Sequence, residues 1–392
     1  MPFILLLFLV GGTPVVGEEP VLPGDIAREI ESTGGGAGLL PVLEEWDKTR
    51  DRIDKEIGLS WSVRYDTVAL GAALGHGVPV GASGDFTLQG IWAPARRWSG
   101  NPTELRFRLR DRHALGGRAA SELGPGIGAL WGVVDGFSGS GFEVPDFFFR
   151  HVFERSGIEL RYGQMTIDAQ FGGHQLASAK NYFLNQAFAS SPAVAFPRFG
   201  AGITLAKSFD NGFSIGLGST TVQGTQQGAQ VDLEFGSDDL FHALQFAYDF
   251  KGADVLPRRI QLLGWHSDAV EDAGRPGGQG LQLIHERALS ADGSRIFVKL
   301  AWADGGATPV DCFLAAGFGR PCGDHDFLGL AAGIGRGSGP AKDWQGVIEG
   351  FYRWHPWESL RISPDVQLLF GEGFNGSPGI RVVAGLRAGL VF

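Results

Sequence analysis

The chain has 392 residues, of which 62 are glycine, against a typical glycine share of about 7%. Its hydrophobic content of 43% excludes disorder, and its charged content of 19% lies below the roughly 25% of soluble domains. The net charge of −10 argues against a nucleic-acid partner, which favours a basic face. Past the first ten residues, no stretch approaches the ~18 uninterrupted apolar residues of a membrane-spanning helix. A large all-β chain remains.

The amino terminus predicts export. Residues 3–10 form a short apolar run, and Gly11, Gly12 and Pro14 follow it. The run has the size of a signal-peptide core and is too short to span a bilayer, although no Lys or Arg precedes it. We therefore assign residues 1–17 as a signal peptide, with a buried apolar strand as the alternative.

Residues 18–58 predict a leader followed by a helix. Residues 18–38 are rich in Gly and Pro and indicate a flexible segment. The helix is predicted from residues that recur at three- and four-residue spacing among charges, namely Leu39, Leu43, Trp46, Arg50, Ile53 and Ile57. We expect this amphipathic helix to pack on the rest of the domain, with a membrane surface or a partner helix as alternatives. The barrel described next is assigned to residues 59–392.

From Leu59 onward the apolar residues recur with a period of two. The run 380–392 has one wholly apolar face, made of Ile380, Val382, Ala384, Leu386, Ala388, Leu390 and Phe392. Its other face carries Arg381, Val383, Gly385, Arg387, Gly389 and Val391. The run 360–370 alternates in the same way, as do residues 105–110. This pattern predicts strands with two unlike faces.

Alternation alone fits a soluble sandwich, with its apolar face toward a core, or an outer-membrane barrel, with its apolar face toward lipid. Strand number and length favour the barrel. We predict strands near 59–69, 84–92, 105–111, 146–154, 158–165, 199–208, 213–221, 241–250, 258–266, 279–288, 295–303, 310–318, 327–335, 345–354, 359–370 and 380–392. Their number is even, and most have about the 9–11 residues of a tilted membrane-spanning strand. The predicted fold is an all-β, 16-stranded antiparallel transmembrane β-barrel with a short N-terminal helix.

The predicted connectors sort into two sets. With the carboxyl end in the periplasm, one rim carries mostly short turns, at 155–157, 210–212, 291–294 and 355–357. The other rim carries long insertions at 112–145 and 166–198 and a medium one at 222–240. Short turns on one rim and long loops on the other are typical of outer-membrane barrels. The sequence thus predicts a location in the bacterial outer membrane.

Several segments resemble the carbohydrate-selective porins of the OprB type. They include Tyr352-Arg353-Trp354-His355-Pro356-Trp357, Phe148-Phe149-Arg150-His151-Val152-Phe153-Glu154, Leu160-Arg161-Tyr162-Gly163-Gln164, Phe183-Leu184-Asn185-Gln186-Ala187-Phe188 and the terminal Gly385-Leu386-Arg387-Ala388-Gly389-Leu390-Val391-Phe392. Their order carries the resemblance, over about residues 39–392. It implies a sixteen-stranded barrel that admits sugars. Gln164 departs from the Lys expected there, which leaves the charge pattern of the pore open.

A sugar pore needs a narrow section with fixed hydrogen-bonding groups that replace hydration weakly enough to permit release. The candidate pore-lining residues are Arg106, Arg108, Arg110, Arg150, Glu154, Arg161, Asp168, Glu349, Arg353 and Asp365. Interleaved charges of both signs would bind hydroxyls without fixing one ionic substrate. The alternative role of each is only to solvate the lumen wall. The loop at 166–198 either folds inward and narrows the channel or caps it from outside.

The predicted function is an outer-membrane porin for passive, substrate-selective diffusion of carbohydrates. The Arg residues also allow a general or anion-preferring porin, and a secreted β-rich carbohydrate-binding protein is the lower alternative. We expect no enzymatic activity, because no nucleophile elbow or metal-ligand spacing occurs, and hence no cofactor. The expected partners are sugars or similar small solutes and outer-membrane lipid, with the chain as a monomer or a trimer. Cys312 and Cys322 are candidates for one small-loop disulfide.

Overall fold

A computed structural model describes residues 41–73, 79–94, 103–222, 230–233, 239–250, 256–323, 325–339, 343–371 and 379–392. The predicted signal peptide at 1–17 and the predicted flexible leader at 18–38 lie outside these residues. The helix α1 spans Pro41–Ile57. The strands are β1 Leu59–Ala73, β2 Val80–Trp92, β3 Thr103–Ala114, β4 Gly141–Phe153, β5 Ile158–Met165, β6 Gly200–Ser208, β7 Phe213–Thr221, β8 Leu240–Asp249, β9 Arg258–Ser267, β10 Gly278–Ala288, β11 Arg295–Asp304, β12 Val310–Cys322, β13 Asp326–Gly337, β14 Trp344–Trp357, β15 Leu360–Gly371 and β16 Gly379–Val391.

The strands form one closed barrel in which each strand pairs with its neighbours in sequence. The barrel closes where β1 and β16 pair antiparallel, from Arg64 opposite Val391 to Ala73 opposite Val382. Closure leaves no sheet edge, so every strand finds hydrogen-bonding partners on both sides. The predicted 16-stranded antiparallel barrel is confirmed.

The two faces of β16 point as the alternation predicts. Leu386 and Leu390 are 53% and 37% exposed on the outer surface, whereas Arg387 is 2% exposed and lies inside. In a soluble sandwich the leucines would be buried and the arginine would meet water. The outward apolar face is therefore the lipid-facing face of a membrane barrel.

The helix α1 contacts the barrel beside the first strands, as expected. The rings of Trp46 and Trp61 meet edge to face, with their centroids 4.8 Å apart. The hydroxyl of Ser60 donates to Asp54 Oδ1 at 2.8 Å, and Trp92 Nε1 donates to the Ile57 carbonyl at 3.2 Å. Within the described ranges, no helix has the length and apolarity needed to cross a membrane.

Two long connections, 115–140 between β3 and β4 and 166–199 between β5 and β6, fold into the barrel. Their apolar side chains form a buried cluster with side chains of the inner wall. The cluster includes Leu123, Trp131 and Phe137 from the first loop, Phe183 and Phe188 from the second, and Phe297, Phe313 and Phe351 from the wall. Burying each such phenylalanine contributes about 1.5–3 kcal/mol. The inward position predicted as one alternative for the 166–198 loop is the one observed.

This dry cluster makes part of the inner face apolar. The inner face of β13 carries glycines where the loop aromatics approach. A Cβ on Gly333 would lie 3.3 Å from the ring of Phe188, and a Cβ on Gly335 would lie 3.1 Å from that of Trp131. The alternation predicts which side chains face the lumen, but water reaches only part of that lumen.

The candidate disulfide between Cys312 and Cys322 is wrong. Both thiols are free, and the residues lie near opposite ends of β12. A strand rises about 3.3 Å per residue, so their Cα atoms are about 30 Å apart, whereas a disulfide requires about 4.4–6.8 Å. The spacing suggested a small loop because the predicted strand ended at 318, whereas β12 continues to Cys322.

The outward face of β16 provides a stability test. We expect Leu386→Arg to lower the free energy of unfolding by about 2–4 kcal/mol, because it places a charge near the middle of the bilayer. The same substitution at Ile380, close to the outer rim, should cost only about 0–1 kcal/mol. Denaturant unfolding of the protein in lipid vesicles measures both values. Equal, small losses at the two positions would contradict the lipid-facing assignment.

Candidate functional site

A ladder of arginines runs along the inner face of β3. Arg106, Arg108 and Arg110 all point into the barrel, as predicted, and Arg112 extends the row. Each is paired with an acid of its own or a neighbouring strand. The pairs are Arg106–Glu104 at 3.0 Å, Arg108–Asp146 at 3.2 Å, Arg110–Glu143 at 2.8 Å and Arg112–Asp85 at 2.8 Å. The ladder is thus close to electrically balanced.

Arg150 and Arg161 extend this network toward the periplasmic end. Glu159 accepts from both, at 2.5 Å from Arg150 Nη2 and in a short contact from Arg161 Nε. Arg150 also lies 3.4 Å from Glu104, the acid that pairs with Arg106, so Arg150 and Arg161 are linked to the arginines of β3. The structure therefore brings the five predicted arginines of strands β3–β5 into one network.

Glu154 does not join this network, which corrects its predicted position on the lumen face. The strand β4 ends at Phe153, and Glu154 begins the 3₁₀ turn Glu154–Ser156 on the short-turn rim. It is exposed there. The acid that holds Arg150 and Arg161 is Glu159 instead, two positions from Arg161 on its own strand.

Asp168 faces the ladder from the 166–199 loop. Its segment is fixed to the wall because the Thr166 amide donates to Asp146 Oδ1 at 2.9 Å. Burial raises the pKa of Asp168 to about 7, with Asp135 and Asp146 adding to the rise and Arg110 and Arg108 opposing it. Asp168 Oδ1 is buried and accepts no hydrogen bond within the described part of the chain. An acceptor without a hydrogen-bond partner therefore lies close to the arginine donors.

Glu349 and Asp365 occupy a different place from the one predicted. Both are buried on the inner wall beneath the 166–199 loop, at 0% and 2% exposure. Glu349 accepts from the amides of Leu184 at 2.5 Å and Asn185 at 3.0 Å. Asp365 Oδ1 accepts from Gln367 Nε2 at 3.2 Å. Glu349 therefore anchors the loop rather than meets a solute. Asp365 accepts from Gln367, and it is Gln367 that donates to the Val133 carbonyl of the 115–140 connection, at 2.8 Å.

Other polar side chains of the wall anchor loop backbone in the same way. Gln345 accepts from the Leu130 amide at 2.8 Å and donates to the Gly128 carbonyl at 3.2 Å. Lys299, with 0% exposure, donates to the Ala187 carbonyl at 3.3 Å and to that of Ser190 in a short contact. Buried backbone groups need such partners, so these contacts hold the loops inside the barrel.

Arg353 also contacts the loop. Its Nη1 donates to the Asn181 carbonyl at 2.9 Å, and its guanidinium lies 5.2 Å from the ring centroids of both Tyr182 and Phe327. It lies on β14, away from the β3 ladder. Of the predicted site residues, the structure thus groups those of β3–β5 with Asp168 and places Arg353, Glu349 and Asp365 under the loop.

Sequence reasoning missed several members of the site. They are Asp85, Arg112, Asp135, Glu143, Asp146, Lys180 and Arg198. Asp85 and Arg112 lie on the inward positions of β2 and β3, so strand alternation was a usable signal for them. Asp135, Lys180 and Arg198 belong to the loops, where no period indicates orientation. Within the described ranges, no group of three or more His, Cys, Asp or Glu could hold a metal ion.

The carboxyl-terminal strands are similar in sequence to a known protein family. The family model described as "Carbohydrate-selective porin, OprB family" matches residues 279–392. Over these residues the chain is similar to the carbohydrate-selective porins of the OprB family. The match covers β10–β16, including the 352–357 and 385–392 segments that carry the resemblance, and it confirms that resemblance. Among curated proteins, none matches the chain.

Solved structures extend the likeness to the whole barrel. The high-pH structure of OprB from Pseudomonas putida aligns with a TM-score of 0.72 at 14% identity, covering 89% of this chain and 97% of that one. An anion-selective porin from Comamonas acidovorans aligns at 0.53 and 11% identity, covering 85% and 99%. Outer-membrane OmpT of Vibrio cholerae aligns at 0.53 and 9%, covering 85% and 97%. At such identities these alignments show the shared fold.

Together, the family match and the sixteen-stranded barrel confirm the predicted porin and its location in the bacterial outer membrane. Proteins of this family and fold are transport channels. The matched residues begin at 279, after β3–β5, so the match does not include the arginines of those strands.

The anchoring of the loop can be tested at Glu349. Glu349→Ala should leave two buried amides without an acceptor, at a cost of about 1–3 kcal/mol each. We expect faster hydrogen exchange at Leu184 and Asn185 and a larger single-channel conductance, because the loop loosens. Glu358→Ala, which removes an exposed acid from the β14–β15 turn, is the control. Unchanged exchange in the Glu349 variant would refute the anchoring role.

Proposed function

We propose that the chain conducts carbohydrates passively through a constriction between the β3–β4 wall and the inward loops. The observation that carries this proposal is the Oδ1 of Asp168, which has no hydrogen-bond partner among the described residues and lies near Arg108 and Arg110. Hydroxyl groups of a sugar both donate and accept hydrogen bonds. A carboxylate facing guanidinium groups offers one partner of each kind, so the pair can replace part of the hydration of the sugar.

The network favours a neutral solute over a free anion. Arg108 and Arg110 are each held by a carboxylate, and Glu143 also pairs with Arg198 from the loop. These pairs fix the donors in place before a solute arrives, which limits the reorganisation needed for binding. They also reduce the net field that would attract an ion. Weak, multiple hydrogen bonds allow entry as well as release.

The dry cluster contributes by narrowing the path. The two inward loops fill the lumen beside β11–β16 with apolar side chains. A solute must then pass along the charged wall of β3–β5. In this proposal, selectivity arises because the solute must contact the arginine ladder. The flux follows the solute concentration gradient. Transport involves no catalytic step and no cofactor. Sugars and outer-membrane lipid are the proposed partners.

The sugar proposal is tested at Asp168. Asp168→Ala should raise the glucose concentration that half-blocks the single-channel current by about tenfold, because a hydrogen bond to a charged group contributes about 1.5–3 kcal/mol. Liposome swelling with glucose should slow in parallel. Asp272→Ala, in the exposed turn Glu271–Ala273, is the matched control. If wild-type current is blocked by no sugar and is strongly anion-selective, the anion-preferring porin replaces this proposal.

The raised pKa of Asp168 predicts a pH dependence of ion selectivity. Between about pH 6 and about pH 8 its carboxyl group should change from mostly protonated to mostly ionised, since its pKa is about 7. The added negative charge should increase the cation-to-anion permeability ratio over that interval. Asp135, Asp146, Arg108 and Arg110 face the same carboxyl group, so Asp168→Asn identifies the responsible acid. An equal pH response in that variant would exclude Asp168 as its source.

The two alternatives for the assembly, monomer and trimer, differ threefold in protein mass. Light scattering of the detergent-extracted protein separates them. The constriction proposed here lies within one chain and is complete in either assembly.

A further inference from the structure

Four arginines converge on one bend of the 166–199 loop from the other side of the lumen. Arg64 Nη1 and Arg361 Nη1 both donate to Asn181 Oδ1, at 3.0 Å and 2.5 Å. Arg353 donates to the Asn181 carbonyl at 2.9 Å. Arg387 donates to the carbonyls of Ala179 at 2.5 Å and Tyr182 at 2.8 Å. They come from β1, β15, β14 and β16, which are neighbours around the closed barrel.

Only one of the four forms an ion pair with a carboxylate of the described residues. Arg64 forms an ion pair with Asp66, at 2.5 Å from Nε to Oδ2. Lys180 on the same bend is also compensated, since it lies 2.9 Å from Asp85. Arg353, Arg361 and Arg387 contact carbonyl and amide oxygens and the faces of aromatic rings, and they form no ion pair with any described acid. Asp365 and Asp66 lie near enough to act on Arg387, and Asp66 on Arg361, but neither acid forms an ion pair with these arginines.

These three arginines also carry unused donors. Nε of Arg353, Nε of Arg361 and Nη2 of Arg387 are buried and donate to no acceptor among the described residues. Arg387 is 2% exposed, whereas Arg353 and Arg361 are half-buried. An uncompensated buried charge is costly, and in proteins it is normally paired. The cluster therefore has both the charge and the hydrogen-bonding capacity for a negative ligand.

The arginine cluster lies where a ligand can reach it from the periplasmic side. Arg361 follows the first residue of β15, next to the turn that joins β14 to β15 on the periplasmic rim. Arg353 lies near the end of β14 that enters the same turn. The half-buried guanidinium groups are thus toward the periplasmic end of the lumen, on other strands than the β3 ladder. A ligand would reach them from the periplasmic mouth or after passing the constriction.

We propose that Arg353, Arg361 and Arg387 form a binding site for a small oxyanion, the carboxylate or phosphate group of an acidic sugar or a free anion of that kind. Guanidinium groups match the planar, two-oxygen geometry of a carboxylate and the oxygens of phosphate. The site is built from β14–β16, whereas the constriction is built from β3–β5. It adds a negatively charged ligand class to a channel whose balanced ladder suits neutral solutes.

Isothermal titration of the detergent-extracted protein tests the site. The probes are inorganic phosphate, sodium gluconate and, as the neutral counterpart, glucose. We expect wild type to bind phosphate, gluconate or both, and Arg361→Gln to weaken that binding about tenfold, the effect of losing a hydrogen bond to a charged group. Phosphate and gluconate are titrated separately, so the oxyanion that binds is identified. No binding of either would overturn the proposal.

Three further variants distinguish an anion site from a displaced loop. Asn181→Ala removes the amide acceptor shared by Arg64 and Arg361 but keeps every positive charge, so it should bind the oxyanion at least as tightly as wild type. Arg361→Lys keeps the charge without the planar fork and should bind with intermediate affinity. Arg336→Gln removes an arginine that is paired with Asp311, near the outer end of β13, and should bind like wild type.

Heat-modifiable gel mobility checks that each variant forms the barrel. If Arg361→Gln does not fold, Arg361→Lys supplies the test, because wild-type affinity in that variant would exclude a role for the guanidinium fork. Equal weakening in Asn181→Ala and Arg361→Gln would overturn the proposal, because it would trace the loss to the loop. If Asp168→Ala left the glucose block of the current unchanged, the titration result for the oxyanion site would still stand, since that variant tests glucose block alone.

Discussion

The structure depends on one requirement: each backbone N–H and C=O group surrounded by hydrocarbon must be hydrogen-bonded within the protein. A sheet meets it only when its two edge strands pair, as β1 and β16 do from Arg64–Val391 to Ala73–Val382. Closure then gives every strand an outer face in lipid and an inner face in the lumen. The two-residue period of the sequence thus becomes a division between two environments, with Leu386 and Arg387 on opposite sides.

The same requirement applies again inside the barrel. The loops 115–140 and 166–199 bring backbone into a space that their own aromatic side chains make dry. Water cannot satisfy those amides and carbonyls, so Glu349, Gln345 and Lys299 do so from the wall. A polar side chain on the inner face of a barrel therefore has two possible uses. It can meet the solute, or it can support the element that narrows the path for the solute.

This distinction sets the limit of sequence-based prediction for this chain. Strand number, closure and face orientation were predictable, because alternation is a local property of each run. The role of Glu349 as a loop anchor was not predictable. Its partner Leu184 lies 165 positions away, and only the folded loop brings the two together. Glu154 was misplaced because β4 ends one residue before it. Asp168 was predicted on its residue type and loop, whereas its acid neighbour Asp135 carried no periodic signal.

The charges of the lumen divide into two parts that differ in compensation. Along β3–β5, acids and bases alternate across neighbouring strands, so each arginine is held and largely neutralised before any solute arrives. Along β14–β16, the three arginines are held by uncharged oxygens, which orient a guanidinium group but cancel none of its charge. Paired ions present directed donors and acceptors with little net field, which suits hydroxyl groups. Cations that are oriented without an ion pair keep more of their field, which suits an anion. One lumen can therefore handle the neutral and the charged parts of a solute at separate places.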